Sequence, residues 1–163
     1  MKRDQHGFTL LEITAVLVLM AIISAYVIGR AIGTEQIELS GQTDKIRTQI
    51  RYTQTMAMKR SDAIWGITCD TNQYWLFQTN IGTPELLPGE QNAQITLSDL
   101  GVNMSAFTLF FDRIGKPYSA YTDEATNEPL NNTDNTLTIN LTAGTQSRKL
   151  SVIAETGLVR LVP

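Results

Sequence analysis

Histidine is almost missing from this 163-residue chain: the single example, His6, lies in a basic stretch at the start. Everything beyond that stretch lacks imidazole, which excludes histidine triads, histidine zinc sites and imidazole acid–base catalysis there. Cysteine is equally scarce. Cys69 stands alone, so no intrachain disulfide can form. It alternates with Trp65 and Ile67 and reads as an apolar strand residue. Excess charge is also lacking, with a formal net charge of −3. That excludes a globally basic nucleic-acid binder and leaves only a local patch open. Carboxylate or tyrosine chemistry is formally open, but no spacing proposes it. No enzyme is expected, and neither a metal nor a cofactor.

What the chain does have is one concentrated apolar run. Ile13 to Gly29 contains no charged residue, and everything after Arg30 has the composition of a water-exposed domain. Lys2 and Arg3 precede the run, as in a secretory signal peptide, and Ser24-Ala25 supplies small residues for cleavage. The apolar pattern continues through Tyr26, Val27 and Ile28, long for a signal core. A plain transmembrane helix needs about 20 apolar residues. Gly7 to Gly29 provides them, with Lys2 and Arg3 holding the N-terminus in the cytoplasm.

Both readings leave Glu12 unexplained. A carboxylate in the bilayer costs about 2.5–3.5 kcal/mol on insertion scales and tends to be paired and functional. Were Met1–Gly7 removed, Phe8 would carry a positive α-amine, with Glu12 one helical turn away at i+4. Side by side, such helices would let Glu12 of one copy meet the amine of a neighbour.

Gly7-Phe8-Thr9-Leu10-Leu11-Glu12, behind a short charged leader and ahead of an apolar helix, resembles the processing signal of type IV pilins. The resemblance implies a prepilin peptidase that cuts between Gly7 and Phe8 and methylates the new Phe8 amine. It also implies that Glu12 guides the subunit into a growing filament. The chain departs from the family in carrying Thr14 within the aliphatic run, and Gly29 and Gly33 where many members have a proline. Glycine weakens a helix interior by about 1 kcal/mol relative to alanine, so a bend or melted turn is expected there.

From Thr34 to Arg60, Leu39, Ile46, Ile50, Thr53 and Ala57 mark one helical face, and Lys45, Arg47, Gln49 and Arg51 fall largely off it. After Ser61 the period becomes two. Trp65, Ile67 and Cys69 alternate with Gly66, Thr68 and Asp70, and Asp70-Thr71-Asn72 offers a turn into "QYWLFQT". "GTPELLPGEQN" reads as a loop, while "AFTLFFD", "TLTINLT", "RKLSVIA" and "LVRLV" read as strands. A turn at Glu155-Thr156-Gly157 separates the last two. The expected fold is α+β: a long N-terminal helix, its first half transmembrane, packed on an antiparallel β-sheet in the pilin-like manner. The expected divisions are a leader at 1–7, a transmembrane and assembly helix at 8–33, and a periplasmic globular domain at 34–163.

Three patches narrow the resemblance. "FDRIGKP" (Phe111 to Pro117), "ETGLVRLV" (Glu155 to Val162) and the helix-to-strand passage "RYTQTMAMKRSDAIWGI" are similar to minor pseudopilins of the H/FimT type. These are subunits of type II secretion systems and type IV pili. The resemblance implies storage in the bacterial inner membrane and extraction into a pseudopilus or pilus tip by a cytoplasmic ATPase. The implied partners are other pilins or pseudopilins, and the prepilin peptidase. Asp112 and Arg113 are expected to pair or to cap the turn at Ile114–Pro117. Asp123, Glu124, Glu128 and Asp134 form a loose acidic stretch without the regular alternation of a calcium loop. Asn131-Asn132-Thr133 matches a glycosylation sequon of little weight. Arg148, Lys149 and Arg160 are where DNA would bind if the chain were a DNA-uptake pilin, provided they gather on one surface.

Overall fold

The computed structural model describes residues 9–60, 63–121, 128–130 and 136–162, with 28–35 as helix backbone alone. It divides into two compact units, Met1–Glu35 and Gln36–Pro163. Among the described residues the elements, in chain order, are one helix, α1 (Leu10–Lys59), and eleven strands. The strands are β1 (Trp65–Cys69), β2 (Gln73–Gln78), β3 (Pro84–Glu85), β4 (Gln94–Thr96), β5 (Asn103–Met104) and β6 (Phe107–Phe111). They continue with β7 (Pro117–Ala120), β8 (Glu128–Pro129), β9 (Thr136–Ala143), β10 (Gln146–Ile153) and β11 (Val159–Val162). A 3-10 turn at Ser98–Leu100 lies between β4 and β5. Helix α1 runs through Gly29 and Gly33, so the expected melted turn is not there.

In the first unit, every residue from Leu10 to Val27 is exposed, which no folded core in water would tolerate for so many large aliphatics. The segment is long and apolar enough to cross a membrane. Its start is capped by Thr9, whose hydroxyl accepts a hydrogen bond from the Glu12 amide at 3.3 Å.

In the second unit the periodicity of α1 sets the packing. Leu39, Ile46, Ile50, Thr53 and Ala57 are all buried, as their spacing requires. Thr43 and Gln49 are buried with them. The threonines satisfy themselves locally, Thr43 donating to the Leu39 carbonyl (2.6 Å) and Thr53 to that of Gln49 (2.9 Å). Gln49 belongs to the buried face and not to the solvent side where its polarity suggested it would lie. Its side-chain amide donates to the Glu90 carboxylate at 2.7 Å, and Lys45 pairs with the same oxygen at 2.7 Å. The loop after β3 is fastened to the helix in this way.

The strands form two antiparallel sheets instead of the single one expected. One runs β3-β2-β1-β6-β7-β8, with β4 also on β2; the other runs β11-β10-β9-β5. The helix stripe, the inner face of the first sheet (Trp65, Ile67, Cys69, Leu76, Leu109, Phe111) and that of the second (Ile139, Leu141, Leu150, Val152) share one core. Strand β1 was expected to alternate buried and open positions, yet all five residues are buried. It is the central strand, between β2 and β6, and its second face is covered by Phe77 and Phe110. Those two rings meet edge to face at 5.1 Å on either side of Gly66. On the same face Thr68 donates to the Phe107 carbonyl at 3.1 Å, so its polarity is met inside the sheet.

Gly66 is glycine because the aromatic lid needs its space. An added Cβ would come within 2.2 Å of a Phe77 ring carbon and 2.7 Å of the Leu109 carbonyl oxygen. Gly66→Ala is therefore expected to lower stability by about 1–3 kcal/mol, the usual penalty for overpacking. Denaturant unfolding followed by tryptophan fluorescence, reporting Trp65 and Trp75, checks it; an unchanged midpoint would mean that the lid yields freely.

Candidate functional site

Glu12 sits one turn into α1, in the phase set by the Thr9 cap. Thr9-Leu10-Leu11-Glu12 has the form of a capping box, in which the threonine and the glutamate satisfy each other's backbone amides. Only the threonine half is made here: among the described residues no donor reaches the Glu12 carboxylate. The apolar stem of Glu12 lines a shallow surface hollow with Ile13, Val16 and Leu17. An acceptor with no donor, on a surface otherwise fit only for lipid or another apolar helix, is chemically incomplete by itself. A cation from outside this segment would complete it. Gly7 and Phe8, the expected cleavage pair, lie outside the described residues.

The three sequence patches of the second unit converge on one side chain. Gln54, on α1, donates from Nε2 to the carbonyls of Gly115 and Thr156, both at 2.8 Å. Gly115 belongs to the turn between β6 and β7, and Thr156 to the turn between β10 and β11. One amide thus fastens a turn of each sheet to the helix. Asp112 organises the first turn as expected, by capping: Oδ1 accepts from the amides of Ile114 (3.0 Å) and Lys116 (2.8 Å), and Oδ2 from the Tyr118 hydroxyl (3.2 Å). Across the two turns Lys116 pairs with Glu155 at 3.0 Å, and the carboxylate raises the ammonium's pKa. Gly115 and Gly157 both hold positive φ, 83° and 65°, where a side chain is strained. A Cβ on Gly157 would also approach Gln54 Nε2 to 2.5 Å and the Gly115 carbonyl oxygen to 2.9 Å. Sequence reasoning picked out both turns and missed Gln54. A glutamine inside a helix has no periodicity to mark it, and only the fold shows which carbonyls it meets.

The basic residues are divided by the pleat. Ser151 pairs with Arg160 and Lys149 with Val162, which puts Lys149 and Arg160 on one face. Arg148 pairs with Leu141, on the face of buried Leu150 and Val152. Two of the three are brought together, and Arg148 is separated from them. Glu128 is exposed in β8, while Asp123, Glu124, Asp134 and the sequon at Asn131-Asn132-Thr133 lie outside the described residues. Among the described residues no three His, Cys, Asp or Glu side chains are grouped to hold a metal ion. Cys69 is buried, and desolvation, with the charge of Asp70, pushes its thiol up to about 12, so it is a packing residue and not a nucleophile.

Comparison with known families bears on the first unit. Residues 2–28 match the family model described as the prokaryotic N-terminal methylation motif. No curated protein and no solved structure matches the chain significantly. The motif implies processing by a prepilin peptidase and assembly with other pilins, a structural and generally non-enzymatic role.

The Gln54 junction generates a prediction of its own. Gln54→Leu keeps the volume but leaves the Gly115 and Thr156 carbonyls without their donor. It is expected to cost about 1–3 kcal/mol. Hydrogen exchange should rise at the amides of Gly115, Lys116 and Gly157 with little change in β1. Faster exchange throughout the domain would argue against a local fastening. The exposed helix, the incomplete carboxylate and the methylation motif together support a type IV pilin-like prepilin.

Proposed function

We propose that the chain is a minor pilin or pseudopilin of the H/FimT type, a structural subunit of a type II secretion pseudopilus or of a type IV pilus tip. The leader, 1–7, is removed between Gly7 and Phe8 and the Phe8 amine is methylated. Residues 8–33 anchor the subunit in the bacterial inner membrane, with 34–163 on the periplasmic side. Assembly sets Glu12 of one subunit against the Phe8 amine of another, so that a charge pair forms between two apolar helices.

The observation that carries this reading is the Glu12 carboxylate, which has no donor among the described residues and stands on an otherwise apolar exposed helix within the methylation motif. The three H/FimT-like patches support the subtype, because they meet at Gln54 as parts of one structural unit. The DNA-uptake alternative needs Arg148, Lys149 and Arg160 on one surface, and the strand register offers only the last two.

Intact mass of the protein from its native membrane tests the processing step. Loss of Met1–Gly7 with one added methyl group is expected, and retention of the leader would return the chain to a plain signal anchor. A Gly7 variant with a bulkier side chain should accumulate as uncleaved precursor. Glu12→Leu should be cleaved normally yet fail to join the fibre, read by shearing or by cross-linking to neighbouring subunits. Wild-type assembly of that variant would overturn the charge-pairing account.

A further inference from the structure

An arginine stands where strand β10 should carry an aliphatic residue. Along its inner face the strand alternates Arg148, Leu150, Val152, and the cross-strand neighbour of Arg148 is fully buried Leu141. Arg148 is half-buried, and among the described residues nothing pairs with its guanidinium or accepts a hydrogen bond from it. Partly desolvating a cation without a partner is unfavourable, so an anion bound there would recover what folding gives up.

The side chain opens into a notch of about 220 Å³, bounded by Gln36 and Leu39 of α1, Gln146 and Ser147 at the start of β10, and Leu161 and Val162 of β11. The wall has two chemistries. Arg148, Gln36 and Gln146 supply hydrogen-bond donors, with a guanidinium fork that matches phosphate oxygens two at a time. Leu39 and Leu161 supply an apolar floor, and Leu161 is substantially exposed although apolar (43%). Donors for an anion beside an apolar seat suit an amphiphile better than a small free ion. Chain connection chooses among amphiphiles: Gln36 follows Val27, the last residue of the candidate span, by nine positions. Even fully extended, nine residues reach no more than about 32 Å. A chain anchored through Leu10–Val27 therefore keeps Gln36, at the rim of the notch, within that distance of the end of the span.

We propose that the Arg148 notch binds the phosphate headgroup of an anionic phospholipid, with the start of an acyl chain or its glycerol on Leu39 and Leu161. The proposal rests on the membrane-anchored reading given above, and it adds a second lipid contact besides the spanning helix.

The test uses the full chain in nanodiscs, carrying Gln146→Cys labelled with an environment-sensitive thiol dye. Buried Cys69 does not compete for the label, its thiol being pushed up to about 12. Discs of zwitterionic lipid alone are compared with discs containing anionic phospholipid. A blue shift of the dye in the anionic discs is expected, reduced by salt and lost when Arg148→Gln is added. Equal emission in both lipids would overturn the site. Inorganic phosphate or duplex DNA producing the same Arg148-dependent shift in zwitterionic discs would overturn the lipid assignment in favour of a free or polymeric phosphate. A shift that appears only with a second pilin subunit present would reassign the anion to a protein carboxylate. A chain that does not enter discs at all would instead overturn the anchored reading, and the site with it, which separates the two failures.

Discussion

One narrow stripe of α1 organises the folded domain. Leu39, Ile46, Ile50, Thr53 and Ala57 are withdrawn from water, and the inner faces of both sheets are buried in the same core. Neither sheet has a core of its own. The second sheet offers a few inner-face aliphatics, among them Ile139, Leu141, Leu150 and Val152, and would expose them without the helix. Burial is non-directional, so the stripe alone leaves the sheets free to slide along α1. Directional contacts remove that freedom: Gln49 and Lys45 on Glu90 at one level, and Gln54 on Gly115 and Thr156 a turn and a half further on. Hydrophobic area supplies the stability, and two glutamines set the register.

The same helix meets two different demands along its length. From Leu10 to Val27 it is apolar on all sides, and from Gln36 onward it is apolar on one side only. The change in pattern, with no loop between, is what a subunit needs if its anchor and its domain are to share one element. The all-round apolar part has nothing to bury against within the chain, and its stability as a structure in lipid comes from its internal backbone hydrogen bonds. Thr9 closes the start of that ladder, and the Glu12 carboxylate is left over.

How much of this could be read from the sequence depended on whether periodicity carried the information. The helix stripe and the longer strands were legible because burial repeats at 3.6 or 2 residues. The turn at Gly157 was legible because positive φ selects glycine. Strands β3, β4, β5 and β8 were not, since two or three residues cannot show a period and they exist through pairing with distant partners. The second sheet was missed for a related reason: alternation says which residues face inward but not which strands pair. Strand β1 misled in a different way, because its apparently open face is closed by Phe77 and Phe110 from the neighbouring strands. At the site, Glu12 was legible as a charge breaking an apolar run. Gln54 was not, because a glutamine breaks no pattern, and the inward turn of Arg148 required the register of β10.

Glu12 and Arg148 are the same kind of exception. Each is an ionisable side chain at a position whose neighbours are aliphatic, and each lacks a partner among the described residues. Other polar groups at such positions do find a partner inside the chain, Gln49 Nε2 on the Glu90 carboxylate and Thr53 on its own helix. A fold that meets those needs locally is capable of meeting these two as well, by a nearby opposite charge or by a plain leucine. That it does neither is informative, because an unmatched charge in a partly apolar setting opposes folding of the isolated subunit and is relieved only from outside. The unmatched groups therefore mark where the subunit expects other molecules: a cation beside the apolar helix at Glu12, and an anion in the notch at Arg148.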